Sequence, residues 1–443
     1  MEKFEDAGSR SPSSKADTDG APRPRLITPV LRTFLAGMIL ANVSGMMFYP
    51  LLALYLRELD AGVEEVGLFF TLSMIAPLVL QIAGGWISDH IGRIKAIALG
   101  SIGGALSWIG ILLSPSWGWV LASESVGAIA SAFVAPSFDA FIAEQSSEGN
   151  RAKTFAVSQS IYEVVTVVGP LAGGLTVRFL GWRSLLWIAA VLYFGATAVR
   201  LSMARKTAPL PRREGLNIKS FGTSLKVVLG MALSGGVVTW LILSDGGRDI
   251  AMGMSMQLFP LFLREIRGVD VAAIGLFNSL FGMASMAIML PSGFLADRYG
   301  ERYPIAAGYL LAFLSFGLLV FVPAPWLAGA AFCLALGAGM GLMQPAYQSL
   351  ISKAVPERYR GITYGFLSTS NGLVALPAPW LGALLWKRVA PAAPFFLTAA
   401  LTLALVPLVM AKFRPAALGA DPAGDSAGRT PGPGNLDEDR TAR

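Results

Sequence analysis

Twelve long apolar runs, separated by short charged or turn-forming connections, leave this chain few folds to adopt. They lie at about 29–56, 66–87, 96–113, 118–141, 156–179, 184–203, 237–263, 273–295, 304–322, 327–350, 363–385 and 393–411. As helices, each can cross ~30 Å of hydrocarbon, some by tilting. None shows the strict alternation of a lipid-facing barrel strand. The balance of residues agrees: 54% are hydrophobic and 14% charged, against about a quarter charged in an ordinary soluble domain. One cysteine, Cys333, and one histidine, His90, exclude a disulfide framework and a Cys/His zinc cage. The expectation is an all-α membrane protein with no metal and no cofactor.

The net charge of +7 could point to nucleic acid, but its placement points to a bilayer. An even number of spans puts both termini on one side. The tails and the connections after spans 2, 4, 6, 8 and 10 hold most of the Lys and Arg. The other side holds only Arg57, Arg178, Arg183, Arg264, Arg267, Lys387 and Arg388. Basic residues favour the cytoplasm, so both termini are expected there, in a multi-pass protein of the plasma (inner) membrane. The run after the polar N-terminal tail is too long for a signal-peptide core. Disordered tails are expected at 1–28 and 412–443. A basic linker, 204–236, separates six spans at 29–203 from six at 237–411. Its charge, from Arg200 to Lys226, reads as a solvated segment near acidic headgroups.

The two sets of spans repeat each other at an offset of about 209 residues. Pro50 matches Pro260, Gly67 matches Gly275, Asp89 matches Asp297, Pro136 matches Pro345, Arg151 matches Arg360, and Pro170 matches Pro379. Twelve transmembrane helices in two pseudo-symmetric six-helix bundles follow. Such repeats place a binding site at their interface near mid-membrane, opened to each side in turn by rocking.

The connection after span 2 reads Gly85-Trp-Ile-Ser-Asp89-His90-Ile-Gly92-Arg93, and after span 8 Gly293-Phe-Leu-Ala-Asp297-Arg298-Tyr-Gly300-Glu301. Gly85 and Gly293 suit close helix approach, and Gly92 and Gly300 suit a turn with positive φ. Asp89 can cap a neighbouring helix and Arg93 can hold a carboxylate, a latch between halves. Span 5 contains Gly169-Pro170-Leu-Ala-Gly173-Gly174, where proline removes a backbone donor and the glycines remove bulk.

These motifs resemble those of the major facilitator superfamily, and the likeness covers about 29–411. The span-5 motif resembles the G-P-x-x-G-G signature of its drug:proton antiporters (multidrug efflux). Two positions depart from the pattern. His90 stands where the loop motif usually has Arg or Lys. Ser123 precedes Gly127 where many such antiporters have an Arg. The resemblance also implies that a span-4 acid, matched by Asp139, completes the latch with Arg93.

Ionisable residues within spans are the sharpest pointers, since each costs at least about 2–3 kcal/mol at mid-bilayer. Asp245, Arg248 and Asp249 share one face of span 7 at i, i+3 and i+4. Arg248 can fully neutralise one carboxylate, so a proton on the other removes the excess charge. Glu163 in span 5 and Glu124 in span 4 are further proton-coupling or substrate candidates. Met46, Tyr49, Met252, Met256, Phe259, Met343, Gln344 and Tyr347 are cavity candidates, thioethers and aromatics suiting varied greasy ligands.

The expected function is secondary active export of small amphipathic or hydrophobic molecules by alternating access, driven by a proton gradient. No G-x-x-x-x-G-K-[ST] loop is present, and covalent catalysis is not expected. The partners are a small-molecule substrate and the lipid bilayer, without nucleic acid, and a monomer is expected. An uptake symporter or facilitator for a polar metabolite is one alternative. A non-transporting membrane receptor or lipid-handling protein is another.

Overall fold

A computed structural model describes residues 27–78, 80, 91–146, 150–206, 229–230, 232–355 and 357–413. Among them there is no strand. Twelve helical segments follow one another: α1 Pro29–Glu58, α2 from Val63–Ser73 onward, α3 Arg93–Leu112, α4 Trp117–Glu144, α5 (151–180) and α6 (182–206). The second set is α7, from Val237–Ser255 through Phe262–Ile266, α8 Val271–Tyr299, α9 Arg302–Phe321, α10 Pro325–Ala354, α11 (Glu357–Ala375, then Ala378–Arg388) and α12 Ala393–Lys412. Among the described residues, seven helical stretches are long and apolar enough to cross a membrane, and one of them, Lys153–Lys206, carries both α5 and α6.

The ends follow local chemistry. Thr28 accepts from the Leu31 N–H at 3.2 Å with Pro29 in the first turn of α1, and Asp270 accepts from the Ala272 N–H at 3.1 Å to cap α8. Gly92 and Gly300 take φ of 92° and 91°, as the repeated loop motif requires. Gly181, at φ 80°, turns the chain between α5 and α6.

The repeat seen in sequence is a repeat of contacts. A Cβ at Gly173 of α5 would collide with the Met47 carbonyl of α1, and one at Gly382 of α11 would collide with the Met254 carbonyl of α7. The Leu171 N–H donates to Ser279 Oγ of α8, and the Trp380 N–H donates to Thr71 Oγ1 of α2. Gly275 lies against Gly174 and the Pro170 carbonyl, as Gly67 lies against Ala383 and the Pro379 carbonyl. The glycines and prolines of both halves therefore serve backbone-to-backbone approach between α5 and α8 and between α2 and α11.

Packing is unequal along the membrane normal. On the face opposite the termini, one continuous core joins both halves, from Phe48 and Phe69 to Phe259, Phe277 and Phe395. Toward the termini the core divides. One cluster holds Leu31, Phe34, Ile97 and Phe141 of the first half, and another holds Leu241, Tyr309, Leu350 and Val409 of the second. Among the described residues, the core shared by both halves lies on the far face and the cores toward the termini are separate. No heavy atom of the described residues outside its own helix lies within 4 Å of where a Cβ at Gly293 would be, so the close approach expected there is not made among them.

Candidate functional site

The charged triad of α7 forms one connected cluster. Arg248 Nη1 is 2.7 Å from Asp245 Oδ1, and its Nε and Nη2 donate to Asp249 Oδ1 at 3.1 and 2.9 Å. One guanidinium thus bridges both carboxylates rather than serving one, and the group carries one excess negative charge. Asp245 Oδ1 is close to the guanidinium yet accepts no hydrogen bond, because the N–H groups are not aimed at it. Asn371 Nδ2 of α11 reaches Asp245 Oδ2 at 3.4 Å. Behind Arg248 stands Tyr347 of α10, its ring 5.5 Å from the guanidinium carbon. The Tyr347 and Tyr309 hydroxyls are 2.8 Å apart and both meet Ser244, one turn before Arg248. Gly246 and Gly247 leave the room that Asn371 and Leu405 occupy. Asp249 is the most accessible of the three, with its side chain 34% exposed.

The first half is built differently. A cavity of about 400 Å³ lies among α1, α2, α3, α4 and α6, with Asn42, Met46, Tyr49, Trp108, Glu124, Tyr193 and Arg200 in its wall. A second of similar size adjoins it and shares Asn42, Ser131, Val134 and Arg200. Glu124 Oε2 receives a long bond of 3.4 Å from the Tyr49 hydroxyl, while its buried Oε1 has no hydrogen-bond partner among the described residues. Arg200 is 6% exposed and donates from Nη1 to Ser101 Oγ at 2.8 Å, with Tyr193 beside it. Sequence reasoning grouped Arg200 with the basic linker. Its position six residues before the end of α6 instead turns it into the bundle. Among the described residues, both cavities are walled by the first half.

Other candidates fall elsewhere. Met343 packs against Gly308, and Phe259 stacks on Phe332 at 4.6 Å. With Met252, they are core residues and not cavity wall. Met256 packs on the same core, Tyr347 belongs to the polar network, and Gln344 is exposed without lining either cavity. Glu163 accepts from Gln159 of its own helix at 2.9 Å, so its partner is local. Asp297 and Arg298 are exposed and join no ion pair among the described residues. The neighbouring Glu301 instead binds Lys353 and Ser349 of α10. Arg93 reaches Glu144 at 3.4 Å. Gly85 and Asp89 lie outside the described residues, as does the side chain of Asp139.

The ion pairs between halves sit on the far face, which the loop motifs do not predict. Arg57 of α1 pairs with Glu265 of α7, Arg178 of α5 with Asp270 of α8, and Lys387 of α11 with Glu64 of α2. Arg57 and Glu265 are repeat-related positions, as are Arg178 and Lys387, so the three pairs share the pseudo-twofold axis of the bundles.

Comparison with known proteins agrees with this architecture. The family model described as Major Facilitator Superfamily matches residues 34–375 and 246–433. The chain is 26% identical over 403 residues to the multidrug resistance protein MdtG of Escherichia fergusonii, covering 89% of this chain and 95% of that protein. It is 25% identical to the multi-drug resistance efflux pump PmrA homolog of Lactococcus lactis, covering 78% and 85%. It is also 25% identical to the class C tetracycline resistance protein of Escherichia coli, covering 78% and 87%. Among solved structures, the nucleoside transporter NupG superposes with a TM-score of 0.74 at 13% identity, over 87% of this chain and all of that one. A bacterial homolog of the lysosomal transporter Spinster, inward-facing and unoccupied, gives 0.67 at 14% identity, covering 90% and 97%. With two repeated six-helix bundles joined on one face, the chain belongs to the major facilitator superfamily.

Proposed function

We propose that this protein is a proton-driven exporter of small amphipathic or hydrophobic compounds. The observation that carries this reading is the α7 cluster, in which two carboxylates share one guanidinium inside the membrane. The uncompensated charge favours uptake of one proton when the cluster is sealed from water, and hydration favours its release. Asp249, the more exposed acid, exchanges that proton. The relatives named as efflux and resistance proteins support export over uptake. The bias of Lys and Arg puts the termini in the cytoplasm, so the closed far face is external and the divided face opens inward. The protein works as a monomeric carrier in the plasma membrane, with substrate taken from the cytoplasmic side and no covalent step.

The test is flux of a lipophilic dye into inverted vesicles under an imposed pH gradient, for wild type and Asp249→Asn. Neutralisation abolishes gradient-driven flux and leaves dye binding. Driven flux that persists in Asp249→Asn removes Asp249 from the proton route.

A further inference from the structure

The first-half cavity presents two opposite charges that do not meet. Glu124 offers a buried carboxylate oxygen without a hydrogen-bond partner, and Arg200, itself almost fully buried, makes no ion pair among the described residues. At 1.5 Å per residue, the Glu124 Cα lies about 10 Å and the Arg200 Cα about 27 Å below the far-face ends of their helices. The arginine side chain reaches back toward Ser101, which leaves the two charged heads on the order of 10 Å apart in depth. Tyr193 lines the same cavity and is near both. The wall around them is mixed, with Met46, Trp108 and Val134 beside the polar side chains of Asn42, Ser107 and Ser131. A volume of about 400 Å³ suits a drug-sized molecule, and fixed polar groups in the wall orient such ligands.

We propose that this cavity binds zwitterionic aromatic amphiphiles, with the ligand's cationic group on Glu124 and its anionic group on Arg200. The proposal rests on reading the chain as an exporter of small amphipathic compounds, and it names the class. A buried charge is tolerated when it is paired. A purely cationic ligand would satisfy Glu124 and add a second cation to the cavity of Arg200. A purely anionic ligand would do the reverse. A dipolar ligand compensates both ends at once, and a flat aromatic spacer fills the gap between Trp108 and Tyr193. The cation also meets the ring of Tyr49, whose hydroxyl already marks the carboxylate.

The test uses the full chain in lipid nanodiscs with no gradient and three probes on one scaffold. These are 4′-(aminomethyl)biphenyl-4-carboxylic acid (zwitterion), its ethyl ester (cation) and its N-acetyl derivative (anion). Calorimetry on wild type should give the zwitterion at least about tenfold tighter than either derivative, a comparison that needs no variant to fold. In Glu124→Gln the zwitterion should fall to the level of the N-acetyl acid, and in Arg200→Gln to that of the ester. Equal binding of all three by wild type, or zwitterion selectivity that survives both substitutions, overturns the proposal. Driven flux that persists in Asp249→Asn breaks the proton route while leaving zwitterion selectivity untouched, so the two failures are distinguishable.

Discussion

In the first half, Glu124 and Arg200 face a shared cavity and reach no opposite charge among the described residues, whereas in the second half Asp245, Arg248 and Asp249 are tied to one another and to a tyrosine pair. The two halves have the same helix order and matching glycine contacts, so backbone geometry does not account for the contrast. It comes from side chains at non-equivalent positions. One bundle leaves two opposite charges apart on the wall of a cavity, and the other balances most of its charge within one cluster.

The contrast breaks most easily at the two arginines. Arg248→Met strands two carboxylates inside the membrane, and loss of one partner from such a group costs about 3–5 kcal/mol. Arg200→Met gives up its bond to Ser101 and removes an unpaired buried cation, so its net effect should stay within about 1 kcal/mol. Thermal unfolding of both variants in one detergent decides the matter, and equal losses would mean that Arg200 is as structural as Arg248.

Gly173→Ala and Gly382→Ala probe the shared background. Each puts a methyl group onto a carbonyl of the first helix of its own half, and overpacking of this kind costs about 1–3 kcal/mol. Similar losses are expected in the two variants, measured as shifts in unfolding temperature. A large inequality would show that the pseudo-symmetry of the contacts is not one of energy.

Glu301 gives a pH-dependent test in the second half. Burial pushes its carboxyl upward, but Lys353, its own backbone N–H and Ser349 outweigh that, and it sits below the usual carboxylate range. A lowered acid contributes stability above its unfolded pKa and loses it as pH falls through the folded value. Glu301→Gln should therefore destabilise the protein by about 1–2 kcal/mol at pH 7. Wild type and variant should converge as pH falls through the lowered folded value, below the usual carboxylate range. A constant difference down to pH 3 would remove Glu301 from this role.

The smallest effect belongs to the symmetric far-face pairs. Arg178 and Asp270 are about half exposed, and Lys387 is more exposed than its partner Glu64. Double-mutant cycles should return about 0.2–1 kcal/mol for each pair, less in high salt. Coupling well above that range would make these pairs a principal determinant of which face is closed.

Much of this was legible in the residues. Each of the twelve runs carries helix among the described residues, because apolar spans without strand alternation can satisfy their backbone in lipid only as helices. Gly92 and Gly300 were readable because a short turn demands their backbone conformation, and the α7 triad because spacing fixes a shared face. Phe259 and Met343 were not separable from cavity residues, since α7 and α10 are apolar around most of their circumference and periodicity then loses its direction. Arg200 was hidden by position: it opens a basic stretch, and a count of charges cannot tell the last buried cation from the first solvated one. Glu301 stood beside the motif acid Asp297, and only the placement of Lys353 distinguishes them.

The far-face seam between Gly174 and Gly275 is main chain against main chain. No rotamer change can widen such a seam, so it parts only when whole bundles move. A resting molecule should therefore hold back passive proton and ion leak tightly, and a bulky residue at either glycine should appear first as a leak conductance, before any loss of substrate recognition.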